Sequence, residues 1–299
     1  MRIVIDMQGA QTTGSRFRGI GRYTLSFAQA VARNRGEHEV FLALSGLFPD
    51  SIEPIRAAFD GLLPQENIRV WDAPAPVHDS DPANRMRREA AERIREAFLA
   101  SIKPDVIHVG SLFEGFVDDA VTSIGLFDHT TPVSVTLHDL IPFIHRDPYL
   151  QNPVFERWYL RKIDHLRRAK LLLANSASSG REAIEHLGFD PAAVVPVGTD
   201  CDVRFRPVGL TEAQRTKMLS AYQIERPFVM YTGGIDYRKN IERLIQAYAS
   251  LPLTLRRQYQ LVVVCAIQPA DRERLLLVAR QAGLQPGELV LTGFVPDDD

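Results

Sequence analysis

The sequence predicts an α/β protein built from two doubly wound, mostly parallel sheets, the second smaller than the first. Three observations carry this prediction. Short branched apolar runs, such as residues 2–7, 133–137 and 171–174, alternate with stretches of helical periodicity, as strands buried on both faces should. The alternation lapses into a polar segment after residues 205–207 and then restarts. With 299 residues, 45% hydrophobic and 24% charged, the chain is long enough to bury two cores of ordinary composition.

Residues 2–7 read as the first strand. A loop bearing Gly9, Gly14, Gly19 and Gly21 leads into a helix marked by Ile20, Phe27 and Val31. Strands follow at 39–44 and 68–71. A loop rich in Pro and Asp spans 73–82, and an Arg- and Glu-rich helix covers 83–101. Pro104 breaks the chain before a strand at 105–109. The strand at 133–137 ends in His138-Asp139, and a basic helix covers 153–169. The strand at 171–174 ends in Asn175-Ser176. Its helix runs to Leu187 and stops at Gly188, and 194–197 is one more strand. The second domain reads as a polar segment at 208–226 made of linker plus one helix, a strand at 228–232, a helix at 240–250, a strand at 260–265, a helix at 270–282 and a strand at 289–292. The expected domains are therefore 1–206 and 207–299. A doubly wound sheet ordinarily has five or six strands. Three in the second domain, with an ending in mid-pattern at Asp299, predict an incomplete domain in a chain cut short or completed by another segment.

A net charge of −2 offers no global attraction to nucleic acid or anionic lipid, so no nucleic-acid partner is expected. The two cysteines, Cys201 and Cys265, lack metal-ligand spacing and suit a reducing compartment. The N-terminal apolar run contains Asp6 and reads as a strand rather than a signal peptide, and no run reaches the ~20 apolar residues of a membrane helix. A cytoplasmic protein is expected.

Open parallel sheets bind ligands beyond the carboxyl ends of their strands. Three motifs fall there. Gly19-Ile20-Gly21-Arg22 opens the first helix, where glycines, backbone N–H groups and Arg22 suit an anion; a plain glycine turn with surface arginines fits equally well. His138-Asp139 closes an apolar strand, where the imidazole can bond a hydroxyl or move a proton; a histidine satisfied at a strand end is the alternative. Gly233-Gly234-Ile235-Asp236-Tyr237-Arg238-Lys239-Asn240 puts glycines after a strand and two cations before a helix. Cations repel the positive end of a helix, so their presence there points to an anion.

The row TGGIDYRKNIERLIQAY resembles the start of the nucleotide-binding domain of family-4 glycosyltransferases. VVPVGTD at 194–200 is similar to that family's interdomain segment. LLLANSASSGREAI, VTLHDLIP, RGIGRYT and LVLTGFVPDDD resemble four further elements, in family order over essentially the whole chain. The resemblance implies a GT-B fold of two Rossmann-like domains and a retaining, metal-independent transferase. Its substrate would be a nucleoside-diphosphate sugar, with no cofactor. It is closest to mannosyl-type transferases of bacterial surface polysaccharide synthesis, so a GDP-linked donor and a glycan or lipid-linked acceptor are expected. Carried onto this sequence, Gly19, Gly21, Arg22, Gly233, Gly234, Arg238 and Lys239 would surround the donor diphosphate. His138 would reach the transferred sugar or the acceptor hydroxyl, and Lys239 would neutralise the leaving group. Gly293 and Phe294 would lie near the base, with Asp139 and Glu114 on the acceptor side.

Two departures and two decoys matter. Gly234 stands where the family has an Arg, a place Arg238 or Arg22 would have to fill. The family's Glu-x7-Glu pair would fall beyond Asp299. Phe113-Glu114-Gly115-Phe116 mimics its start, but Thr122 takes the place of the second Glu. Asp79-Ser80-Asp81 and residues 297–299 match a metal-binding D-x-D, yet read as solvated loop and chain end. Residues 155–170, with Trp158 and Tyr159 among many cations, suggest peripheral contact with the inner membrane face, or else a solvated helix. A nicotinamide-binding fingerprint fails, because Thr24 replaces its third glycine and the second strand runs into Ser45-Gly46 rather than an acid. The remaining alternative is a fragment that binds acceptor or nucleotide without catalysis.

Overall fold

Two separate parallel sheets organise the chain, one in each of two units, Met1–Cys201 and Asp202–Asp299. The structure is a computed structural model that describes residues 1–202 and 205–296.

The first unit runs β1 (Arg2–Asp6), α1 (Gly19–Arg33), β2 (Glu39–Ser45), α2 (Pro49–Ala58), β3 (Ile68–Trp71), α3 (Arg85–Ser101), β4 (Val106–Val109) and β5 (Val133–Leu137). It continues through the one-turn helices α4 (Ile141–Ile144) and α5 (Arg146–Tyr149), then α6 (Pro153–Leu166), β6 (Leu171–Ala174), α7 (Ala177–Leu187) and β7 (Val194–Pro196). Strand order is β3-β2-β1-β4-β5-β6-β7, all parallel. The winding reverses between β1 and β4, the switch point where such sheets open a crevice.

Alternation along each strand feeds two cores. Val4 on β1 joins Phe41, Leu99, Ile107, Leu137, Trp158 and Ile163 under α3 and α6. Its neighbour Ile5 joins Met7, Ala28, Leu42 and Phe59 under α1 and α2. Local signals set the helix ends. Asn152 accepts from the N–H groups of Val154 and Phe155 ahead of α6, with Pro153 in its first turn. Ser176 caps α7, and Gly188 closes it in the left-handed region at φ 72°.

The second unit runs α8 (Glu212–Ala221), β8 (Phe228–Thr232), α9 (Ile241–Ala249), α10 (Leu253–Gln258), β9 (Gln260–Val264), α11 (Pro269–Gln281) and β10 (Leu289–Gly293). Its parallel order, β10-β9-β8, repeats the winding of β3-β2-β1. Ile241, Ile245, Leu261, Val263 and Leu275 fill one face of the sheet, and Ile224, Val262 and Val290 the other. Among the described residues no helix is long and apolar enough to cross a membrane.

Three sequence expectations are corrected here. Asp79 is not solvated: it is buried, ion-paired with Arg88 and 2.6 Å from Arg161. Asp81 caps a short turn by accepting from the Ala83 N–H. Residues 297–299, the other D-x-D, lie outside the described residues. Trp158 and Tyr159 do not face solvent or lipid. Both are core residues against Phe113, Phe116 and Phe155, and Lys162 beside them is buried too, donating to Thr122. The helix therefore carries its aromatic residues inward. Finally, α2, α10 and the one-turn pair α4 and α5 were not anticipated; α2 holds Pro49 at its start and Pro54 inside, which mask its periodicity.

Candidate functional site

At the carboxyl edge of the first sheet, β1 passes into a 3-10 turn, Gln8–Ala10, and then into the loop that starts α1. Helix α1 sits very close to the sheet. A Cβ added at Gly9 would lie 2.7 Å from Thr24 Oγ1, and one at Gly110 would lie 2.7 Å from Thr24 Cγ2. In a dinucleotide fingerprint a glycine on the helix permits this approach. Here the glycines are on the strand ends and the helix keeps its threonine, whose hydroxyl bonds the Ile20 carbonyl.

Gly21 is needed for a different reason from the one expected. A Cβ there would meet Ser15 O at 2.4 Å and Arg16 Cα at 2.6 Å, so the loop folds back onto the first turn of α1. The Ser15 carbonyl accepts from both Arg18 N–H (2.9 Å) and Gly21 N–H (3.1 Å). The Gly21 N–H is thereby committed within the protein. Gly19, by contrast, is exposed, with nothing within 4 Å of its Cβ position, and Arg22 is exposed in the same turn.

His138 follows β5. Its Nε2 lies 3.2 Å from the Gly110 carbonyl, and its ring meets Tyr23 edge-on at 5.5 Å. A carbonyl only accepts, so Nε2 carries the proton and Nδ1 the lone pair. Burial pulls the imidazole below its ordinary pKa of 6.5, against the opposing effects of the Gly110 carbonyl and the Asp139 charge. Ser179 at the start of α7 fixes the backbone by donating to the His138 carbonyl at 2.8 Å. Asp139 accepts from the Ile141 N–H at 3.1 Å.

Glu114 does not present a loop carboxylate to an acceptor. It is 7% exposed. Oε1 accepts from Ser15 Oγ (2.7 Å) and Ser111 Oγ (2.8 Å), and Oε2 from Thr12 Oγ1 (3.2 Å). Burial raises its pKa to about 7, aided by the Asp118 charge and opposed by the three hydroxyl bonds. Gly115 next to it has φ +89° and touches the Ala120 carbonyl so closely that a side chain would not fit.

In the second unit the expected residues again gather at the carboxyl edge of the sheet. Gly233 follows β8, and Tyr231 Oη donates to the Gly234 carbonyl at 2.9 Å. Tyr237–Lys239 form a 3-10 turn, and Asn240, at φ 52°, is the N-cap of α9. Arg238 is tied to Asp236, its backbone N–H and Nε both reaching Oδ1. Lys239 is exposed one residue before the cap. Gly293 ends β10 at φ 81°, and Phe294 beyond it is 69% exposed. The candidate residues thus form two groups: Gly19, Gly21, Arg22, Glu114, His138 and Asp139 in the first unit, and Gly233 to Lys239 with Gly293 and Phe294 in the second. Among the described residues no three His, Cys, Asp or Glu side chains are placed to hold a metal ion.

Sequence reading missed Tyr23, Gly110 and the hydroxyls of Ser15 and Ser111. Gly110-Ser111 carries a usable signal, since it is another glycine directly after a buried strand.

Comparison with known proteins agrees with this architecture. The chain is 34% identical over 300 residues to the serotype-specific mannosyltransferase WbdA of Escherichia coli, covering 100% of this chain and 36% of that protein. A second WbdA sequence is 32% identical over 273 residues, 91% of this chain and 34% of the other. The chain spans about a third of the length of these curated relatives. Among solved structures, Anabaena HepE in complex with UDP and glucose superposes with a TM-score of 0.59 at 16% identity, over 99% of this chain and 70% of that one. WaaG, a glycosyltransferase involved in lipopolysaccharide biosynthesis, gives 0.57 at 15% identity, over 99% and 71%. These likenesses establish the GT-B type of fold. Residues 17–203 match Glycosyltransferase Family 4, and the chain belongs to that family.

Proposed function

We propose that this chain serves the retaining transfer of a hexose, of mannose type, from a GDP-linked sugar to a hydroxyl of a glycan or lipid-linked acceptor. The similarity to WbdA over the whole chain supports the sugar and the polysaccharide setting. The observation that carries the chemistry is His138, whose Nε2–H is committed to Gly110 while Nδ1 keeps a lone pair at the carboxyl edge of the sheet. In this reading Nδ1 accepts from a hydroxyl of the transferred sugar or the acceptor and orients it.

The leaving diphosphate gains negative charge as the glycosidic bond breaks. Within the second unit Lys239, just ahead of α9, meets that charge with the N-terminal amides of α9; within the first, the exposed start of α1 at Gly19 offers amides suited to a diphosphate. Because Arg238 is held by Asp236, Lys239 is the principal cation in this role. Gly293 and Phe294 flank the base in the same reading.

Calorimetric titration of GDP and UDP tests the proposal, with transfer from a panel of sugar nucleotides alongside. Saturable binding of GDP, lost in Lys239→Ala with the fold intact, is the expected result. GDP binding unchanged in Lys239→Ala removes the lysine from its role. Nucleotide binding without transfer to any acceptor leaves a binding module in place of an enzyme.

A further inference from the structure

Glu114 is a buried acid with three hydroxyl donors, drawn from two different loops. Thr12 and Ser15 lie in the loop between β1 and α1, and Ser111 lies beside Glu114 in the loop after β4. When ionised, Glu114 is an acceptor only, so all three hydroxyls then point their protons at it and are fixed together. Asp118 makes a parallel tie between the same loops, accepting from Thr13 N–H (3.1 Å) and Thr13 Oγ1 (3.2 Å). On its far side the loop is held by Arg16 Nη1, 2.7 Å from Asp50 on α2.

The grip passes on through Ser15. Its hydroxyl is bound by Glu114, and its carbonyl accepts from the N–H groups of Arg18 and Gly21. Ser15 therefore decides which amides of the first turn of α1 are used inside the protein and where the turn begins. We infer that Glu114 is a positioning residue for the donor. Acting through Ser15, it sets the loop of residues 12–18, and with it the exposed start of α1 at Gly19, in the geometry that receives the diphosphate of a nucleotide sugar. This rests on the functional reading above for the ligand, but not for the clasp itself.

The consequence differs from that of a residue in the reacting centre. His138 and its Gly110 contact share no hydrogen bond with Glu114. Loosening the loop should weaken donor binding and leave the chemical step in place. Glu114→Ala and Ser15→Ala separate the effects, since Ser15→Ala removes one hydroxyl without emptying the acid site. Glu114→Gln keeps a carbonyl oxygen to accept from Ser15 and serves as the conservative rescue.

The experiment combines hydrogen exchange of residues 11–19 with kinetics on GDP-mannose. In Glu114→Ala and Ser15→Ala, exchange in that segment should rise about tenfold while β4 and β5 stay protected. The KM for GDP-mannose should rise about tenfold with kcat within about twofold, and Glu114→Gln should restore most of the difference. Unchanged exchange at 11–19 in Ser15→Ala overturns the clasp, whether or not Glu114→Ala folds. A fall in kcat at constant KM overturns the positioning role. If the unsubstituted chain turns over no sugar nucleotide, the functional reading has failed, and the exchange measurement still decides the clasp.

Discussion

His138 and Gly110 meet across the ends of adjacent strands, ring nitrogen Nε2 to carbonyl oxygen, at 3.2 Å. The bond fixes the tautomer, and burial keeps the ring neutral by lowering its pKa from 6.5. The neutral ring is the working form, so transfer should be level above about pH 6.5 and fall only on acidification below it. His138→Ala should lower kcat by about a hundredfold or more. Initial rates across pH with a sugar nucleotide check both; a rate that climbs as the imidazole protonates contradicts the assignment.

Gly19 and Gly21 should respond oppositely to alanine. At Gly21 the new methyl would fall 2.4 Å from the Ser15 carbonyl, and the resulting shift should cost about 1–3 kcal/mol. At Gly19 nothing lies within 4 Å, so stability should stay within about 0.5 kcal/mol. Urea unfolding midpoints of the two variants measure this directly, and equal losses would show that the fold-back of the loop is not what demands a glycine.

Asp79 belongs to the stability of the first unit. It links Arg88 on α3 to Arg161 on α6, and Arg161 also bonds Glu92 at 2.5 Å. Asp79→Asn leaves two guanidinium groups short of a charge partner, part-exposed on the arginine side. A loss of about 2–4 kcal/mol is expected. Thermal unfolding should show the same deficit with and without added magnesium. A deficit that appears only with magnesium present would reinstate a metal role.

Acid should destabilise the fold through its histidines, with Glu114 opposing. His108, buried and beside His138, titrates at about 3, and His165, buried and beside Lys162, at about 4. Between pH 6.5 and 4.5 the unfolded chain binds protons at these rings that the native chain does not, so stability falls as pH falls. Glu114 runs the other way. With a folded pKa of about 7 it is protonated in the native state where the unfolded carboxyl is still ionised, so acidification from 7 to 4.5 favours folding. Glu114→Gln removes that offset and should steepen the acid limb by about 1.4 kcal/mol per pH unit. Denaturant unfolding at several pH values compares the slopes, and parallel limbs in the two proteins contradict the raised pKa.

The sheets were legible because their strands are continuous apolar runs ending in glycine or a polar pair. Val4, Ile5, Val135 and Leu172 could hardly lie anywhere but inside. The strand-end motifs were legible for the same reason, since ligand-facing residues of such sheets follow the strands. What stayed hidden depends on partners distant in sequence. Nothing near Asp79 announces Arg161, and nothing near Glu114 announces Thr12 and Ser15, so both acids read as loop residues. Trp158 and Tyr159 looked amphipathic because Arg157 and Arg161 flank them. Only the packing of Phe113, Phe116 and Phe155 shows that the aromatic side is the buried one.

The crowding of Thr24 against Gly9 and Gly110, with Ser111 against Gly9, makes those four positions a single unit of inheritance. A methyl gained at 110 has room only if one is given up at Thr24, whereas one at 9 would meet Thr24 Oγ1 and, at 2.9 Å, Ser111 Cβ as well. Change should therefore arrive in sets: an alanine at 110 with a smaller residue at 24, and an alanine at 9 only with smaller residues at both 24 and 111. Related sequences that scatter freely at one of the four while holding the others would have to seat the helix at a different height above the sheet.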